Sequence, residues 1–351
     1  MKLYTLPRVA LAALGCLIGT SAMADDAPSV HFNVVGGGSH NYTFRTVERP
    51  FWNETLPASS SGTITARLMG LSESGLKGPE MVRVLRSGAV EIGLGVFAFV
   101  AGDDPTFEGI DLPGMANDIG TSRAIANAYK PVLAARMAER HGVKLLATLP
   151  YTAQVFFCRD AVNTLDDLKG RKIRVRGRNM ADLVGALGAS PITLPFAEVV
   201  TAMQTGVIDC AVTGMGSGNA ARWYDVAGYI YDLPVDWSVG FYAIGLQRWH
   251  QLPTSVQQLL QAKTRELEEA LWEETARENR YALACNTGTP ECQIHRPANM
   301  TVNAPTAAER QALRGVVLRI ANDWGTRCGA PCVKQWNATA GNAIGVSLNV
   351  P

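Results

Sequence analysis

Residues 79–95 read PEMVRVLRSGAVEIGLG, and residues 197–213 read AEVVTAMQTGVIDCAVT. Aligned at an offset of 118 (197 less 79), Glu80 meets Glu198, Leu85 meets Met203 and Ser87 meets Thr205. Gly88 then meets Gly206, Val90 meets Ile208, and Glu91 meets Asp209. In each copy an amphipathic helix stops at a glycine, which enters the left-handed conformation without steric cost. A short apolar strand follows. The chain thus states one helix–strand unit twice.

The flanking sequence extends both copies. In the first, strands at 31–35, 63–68 and 90–96 alternate with helices near 43–56 and 79–87. In the second, strands at 172–176, 191–194 and 207–213 alternate with helices at 179–187 and 196–205. Strands alternating with helices predict an α/β fold with parallel sheets and right-handed crossovers. Two such units predict two similar lobes. Residues 144–158, KLLATLPYTAQVFFC, supply apolar strands where the chain would cross between them. From Thr254 to about Leu283 runs one long helical pattern, and roughly 30 residues at 1.5 Å rise reach about 45 Å, longer than one lobe. It should lie across both. A further helix is expected near 306–323, followed by a cysteine-bearing tail. The expected division is residues 25–153 plus 240–280 in the first lobe, and 154–239 plus 281–351 in the second.

The chain has 351 residues, 47% of them hydrophobic, enough for a sizeable core and more in keeping with two domains than one. Lys2 and Arg8 precede the apolar run VALAALGCLIGT, and AMA at 22–24 has the A-x-A pattern of a secretory cleavage site. We expect residues 1–24 to be a signal peptide cut after Ala24. The cut removes two of 32 cations against 31 acids, leaving a net charge of about −1. A near-neutral chain lacks the basic field of a nucleic-acid binder. Cys158, Cys210, Cys285, Cys292, Cys328 and Cys332 remain, an even number that favours disulfides in an oxidising compartment. Cys285 with Cys292 and Cys328 with Cys332 are neighbours, leaving Cys158 with Cys210, although six cysteines permit fifteen pairings. Zinc is the rival, but the spacings fit no standard finger and no metal is expected.

Within the second copy, KGRKIRVRG (169–177) carries five cations and no acid. On a strand, Lys172, Arg174 and Arg176 share one face, with Ile173 and Val175 on the other. Ligands of open α/β sheets bind outside the carboxyl ends of the strands, where Arg174 and Arg176 stand. Lys169, Arg171 and Lys172 read as solvated surface. Arg176 and Arg178 either line a cleft mouth or pair with nearby acids.

LDDLKGRKIRV (165–175), ALGASPITLPFAEVV (186–200) and TAMQTGVID (201–209) together resemble the signature of a known receptor family. It comprises the extracytoplasmic solute receptors of tripartite ATP-independent periplasmic (TRAP) transporters, dicarboxylate-receptor (DctP) type. The resemblance implies a two-lobed periplasmic-binding-protein fold of type II, a long helix spanning both lobes, periplasmic location, and no catalysis or cofactor. It implies a small-molecule carboxylate ligand held by the arginine of the K-x-R strand, here Arg174, and delivery to TRAP membrane subunits. A guanidinium presents a planar fork that suits a carboxylate. A monomer is expected.

Three positions depart from the family pattern. Gln154 stands where a second arginine is common, Val96 and Phe97 where an acid is common, and Thr213 where an asparagine is common. With one fixed charge and Phe196, Trp223, Trp237, Phe241 and Tyr242 near the second lobe or hinge, the balance leans to an aromatic or otherwise hydrophobic monocarboxylate. A C4-dicarboxylate or other polar acid is the alternative, with Arg176 as the second cation. The expected ligand-lining set is Arg174, Phe97, Gln154, Phe196, Thr213, Trp237, Arg176 and His40. Gly36, Gly37, Gly38, Ser39 and His40 form either a turn offering N–H groups to the ligand or a plain flexible turn. As for enzymes, GLGVFA (93–98) matches G-x-G-x-x-A but opens no obvious helix, and neither G-x-S-x-G nor H-E-x-x-H occurs. A receptor that informs a sensor instead of a permease would carry the same sequence features.

Overall fold

A computed structural model describes residues 1–3, 29–102 and 104–351. The targeting segment and its cut after Ala24 lie outside the described residues from residue 4 onward. Among the described residues, eleven strands form two sheets. The first contains β1 (Val30–Val35), β2 (Ile64–Met69), β3 (Ile92–Val96), β4 (Val143–Pro150) and β10 (Val239–Gly245), in the order β2-β1-β3-β10-β4. The second contains β5 (Gln154–Cys158), β6 (Lys172–Val175), β7 (Ser190–Thr193), β8 (Cys210–Gly214), β9 (Tyr229–Asp236) and β11 (Thr301–Asn303), in the order β11-β9-β5-β8-β6-β7.

The internal echo is structural. The helix Met81–Ser87 and β3 in the first lobe correspond, at the same offset, to the helix Val199–Gln204 and β8 in the second. Gly88 and Gly206 both have positive φ, 75° and 72°. β2-β1-β3 and β7-β6-β8 are parallel triplets of like order.

The sheets are nonetheless mixed, which corrects the expectation of purely parallel ones. β10 runs antiparallel to β3 and β4, and β5 runs antiparallel to β8 and β9. The reason lies in the crossings. β4 ends the first sheet and β5 begins its run in the second after residues 151–153; β9 returns the chain to β10 through residues 237–238. Tyr151 N–H donates to Ser238 O at 2.8 Å, tying the two crossings together.

The long helix, Thr254–Thr287, ends at Gly288 in the left-handed conformation and touches both halves. Glu268 accepts the Thr148 N–H of β4 at 2.9 Å, while Asn286 donates to Met215 O after β8 at 3.1 Å. The next helix, Ala307–Cys328, opens on a Thr306–Glu309 capping box. This helix and the tail beyond it also reach the first half of the chain. Trp336 Nε1 donates to Gly109 O at 2.8 Å, and Trp324 Nε1 donates to Pro105 O, both in the first half of the chain. Among the described residues, disulfides join Cys158–Cys210, Cys285–Cys292 and Cys328–Cys332, the pairing expected from two close pairs and a remainder. Cys158 and Cys210 are register partners on β5 and β8. No helix among the described residues is long and apolar enough to cross a membrane.

Candidate functional site

The carboxyl ends of β1, β2 and β3 face those of β6, β7 and β8 across a cavity of about 340 Å³. This is near the lower bound for small-molecule sites. The lobes already touch across it. His40 stacks on Phe196 with centroids 6.2 Å apart, and Lys77 Nζ lies 3.4 Å from Glu198 Oε1.

Arg174 lies near the end of β6, its residue 3% exposed, and lines this cavity. Its Nε donates to Leu194 O at 2.9 Å and its Nη1 to Val212 O at 3.1 Å. Its guanidinium carbon stands 6.0 Å from the Phe196 ring centre. Among the described residues no carboxylate pairs with it. Burial, and then the repulsion of Arg176, push its pKa down to about 9. The site is therefore a caged, uncompensated cation, the arrangement that favours a bound anion.

Arg176, two residues on, also lines the cavity but is committed elsewhere. Its Nη2 donates to Asp111 at 3.2 Å and to Asp236, and its Nη1 to Gln154 Oε1 at 3.4 Å. Despite burial, the two aspartates hold its pKa above the usual value. Asp111 in turn is pushed up to about 7, by burial first, with Arg176 pulling down and Asp236 pushing up. Of the two expectations for Arg176, lining and pairing, the fold realises both.

Gln154 is bonded at both ends of its amide: it accepts from Arg176, and its Nε2 donates to Thr152 O at 2.9 Å. Thr213, Phe196 and His40 line the same cavity. Burial lowers the His40 pKa, while Glu73 raises it and Arg45 lowers it. Phe196 is backed by Trp223, centroids 5.0 Å apart.

Two expected lining residues lie elsewhere. Phe97 is fully buried against Phe241 and Phe107, at 4.8 and 6.2 Å between centroids. It opens the turn after β3 and points into the core; Val96 and Phe99 border the cavity in its place. Trp237 is 4% exposed and belongs to the central hydrophobic core, its neighbour Ser238 reaching the cavity instead. Trp223, Phe241 and Tyr242 are also fully buried.

The glycine turn after β1 is anchored from below. Glu48, buried, accepts the Gly37 N–H at 2.8 Å and the Tyr242 hydroxyl, so that N–H is not free for a ligand. A Cβ at Gly36 would come within 2.6 Å of Glu48 Oε2, which explains the absence of a side chain there. Burial raises the Glu48 pKa, opposed by the Tyr242 and Gly37 hydrogen bonds.

Sequence reasoning passed over Tyr151, Asp111 and Asp236. Tyr151 was detectable in principle, because it opens the three-residue crossing between β4 and β5. The two aspartates meet Arg176 only through tertiary folding.

Residues 41–322 match the family described as bacterial extracellular solute-binding protein, family 7 (DctP). The Escherichia coli 2,3-diketo-L-gulonate-binding periplasmic protein YiaO is 26% identical over 181 residues, 51% of this chain and 55% of that protein. An uncharacterised Haemophilus influenzae protein is 25% identical over 195 residues, 55% of this chain and 59% of its own length. The chain thus spans little more than half the length of these curated relatives. Among solved structures, the Bordetella pertussis receptor DctP6, which binds pyroglutamic acid, superposes with a TM-score of 0.77. It is 25% identical, with 88% of this chain and 99% of that one covered. The Advenella mimigardefordensis sugar acid binding protein DctPAm, in complex with galactonate, superposes with a TM-score of 0.81. It is 19% identical, with 91% and 100% covered. With the family match covering most of its length, this chain belongs to the bacterial extracellular solute-binding proteins of family 7, the DctP family.

Proposed function

We propose that the protein is a periplasmic receptor that captures a small organic acid anion between its lobes and hands it to the membrane subunits of a TRAP transporter. It works as a monomer and does no chemistry on the solute. The observation that carries this reading is Arg174: buried, facing the cavity, and hydrogen-bonded among the described residues only to carbonyl oxygens. An uncharged solute would leave that cation unpaired when the lobes close, whereas a carboxylate compensates it in a poorly hydrated site. Membership of a family whose structurally similar members bind pyroglutamic acid and galactonate supports the same class.

One carboxylate fits better than two. Arg176, the candidate second cation, is already paired with Asp111 and Asp236. The lean towards an aromatic body loses most of its basis, since Phe97, Trp223, Trp237, Phe241 and Tyr242 pack inside the fold. A thermal-shift screen of the purified protein against organic acids and neutral sugars tests the reading, because a solute that binds only the native state raises Tm. Monocarboxylates are expected to raise it. A rise with neutral sugars alone would overturn the proposal.

A further inference from the structure

The polar groups where the two crossings and the end of β8 meet the cavity fall into two sets. Gln154, Arg176 and Thr152 are spent on one another or on backbone: Gln154 bonds Arg176 and Thr152 O, and the Thr152 hydroxyl accepts the Gly216 N–H at 3.0 Å. Tyr151, Thr213, Ser217 and Ser238 also line the cavity, yet none of their hydroxyls bonds any described residue. They come from three separate places: the outgoing crossing (Tyr151), the end of β8 and the short helix Met215–Ala220 after it (Thr213, Ser217), and the return crossing (Ser238). Tyr151 and Ser238 are held together by their backbones, so two of the four hydroxyls share one rigid junction. On the facing side Leu71, Leu76, Val96 and Phe99 of the first lobe alternate with His40, Asn41, Ser72 and Lys77. Thr213 follows Val212, whose carbonyl anchors Arg174, so its hydroxyl is one residue from the carboxylate anchor.

We infer that the solute is a monocarboxylate whose body carries neutral hydrogen-bonding groups, a hydroxy acid or a lactam acid, and that the Tyr151 and Thr213 hydroxyls read those groups. The inference rests on Arg174 holding the carboxylate. A hydroxyl that closes against an apolar ligand loses its water and gains nothing, at a cost of roughly 1–3 kcal/mol each. Four uncommitted hydroxyls on one small cavity therefore select against hydrocarbon and aromatic bodies. Tyr151 suits the role, because burial raises the pKa of its phenol and keeps it a neutral donor. A second carboxylate on the solute would face these hydroxyls with Arg176 held by Asp111 and Asp236 and Lys77 paired with Glu198, which sets succinate-like acids below hydroxy and lactam acids.

The test is calorimetric titration of the full protein, freed of bound solute, with matched acids. L-Pyroglutamate is compared with cyclopentanecarboxylate, and D-gluconate with hexanoate; the two pairs separate a lactam from a polyhydroxy body. At least one polar acid should bind about thirtyfold or more tighter than its apolar counterpart. Tyr151→Phe and Thr213→Val should each weaken the polar acid about fivefold or more and leave the apolar one unchanged. Neither hydroxyl bonds another described residue, so the Tm of the ligand-free protein should not fall. Equal or tighter binding of the apolar counterparts overturns the inference while leaving the carboxylate reading intact. So does an equal loss for both members of a pair in the variants. Binding by none of the acids removes the carboxylate reading, and this inference with it.

Discussion

Arg174 and Arg176 leave the same strand end two residues apart and meet opposite environments. Among the described residues Arg174 hydrogen-bonds only the carbonyls of Leu194 and Val212, while Arg176 is clasped by Asp111 and Asp236. One is a cation held ready; the other is a structural ion cluster joining the end of β6 to the first lobe and to the return crossing. Alternation along the strand put both on one face, but only tertiary contacts separated their roles.

Their substitutions should therefore diverge. Arg176→Met strands two buried carboxylates and should cost about 3–5 kcal/mol in urea unfolding. Arg174→Met removes an unpaired buried cation at the expense of two carbonyl partners, so the stability should change by no more than about 1 kcal/mol. Equal losses at the two positions would contradict the assignment.

The same cluster predicts a pH dependence. Asp111 is raised to about 7, against an ordinary value near 3.8. Between these values the folded protein holds a proton that the unfolded chain has released, so this group's contribution to stability falls as pH rises from about 4 to about 7. Asp111→Asn should flatten that part of the stability profile. Urea denaturation at pH 5 and pH 7.5 measures it, and an unchanged slope in the variant would refute the titration.

Ligand affinity should respond at the alkaline end. The empty site holds the Arg174 pKa near 9, and a bound carboxylate raises it by pairing with the charged form. Above pH 9 binding must take up a proton, so affinity should weaken towards tenfold per pH unit. Titrations at pH 7.5, 9 and 10 test this; a flat affinity would show that Arg174 stays charged in the empty site or is not the anion's partner.

The Cys158–Cys210 bridge closes a separation of 52 residues between adjacent strands of the second lobe. Loop-closure entropy puts its contribution at up to about 4 kcal/mol. The Cys158→Ala, Cys210→Ala double variant should unfold at correspondingly lower urea concentration. An unchanged midpoint would mean that the bridge restrains little in the unfolded chain.

Much of this architecture was legible because it is written locally. Gly88 and Gly206 end equivalent helices, and the register of 79–95 against 197–213 carries through to β3 and β8. Arg174 was legible for the same reason, at the end of a strand in a βα unit. The antiparallel strands β5 and β10 were not, because strand direction depends on which sheet the chain enters after a crossing of two or three residues. Phe97 and Trp237 were misplaced because an aromatic beside a strand end can turn either way. Val96, Phe99 and Ser238 face the cavity, while the neighbouring rings fill the core. Tyr151 carried no motif; its place at the start of a crossing was the one signal that pointed to it.

The central claim is that the Arg174 guanidinium holds the solute's carboxylate. The most direct measurement is calorimetric titration of Arg174→Ala with the organic acid giving the largest thermal shift on the unaltered protein, alongside the melting curve of the ligand-free variant. The account predicts no measurable heat of binding from a protein that still melts within a few degrees of the original. An affinity within threefold of the original, from a variant folded just as well, would contradict it.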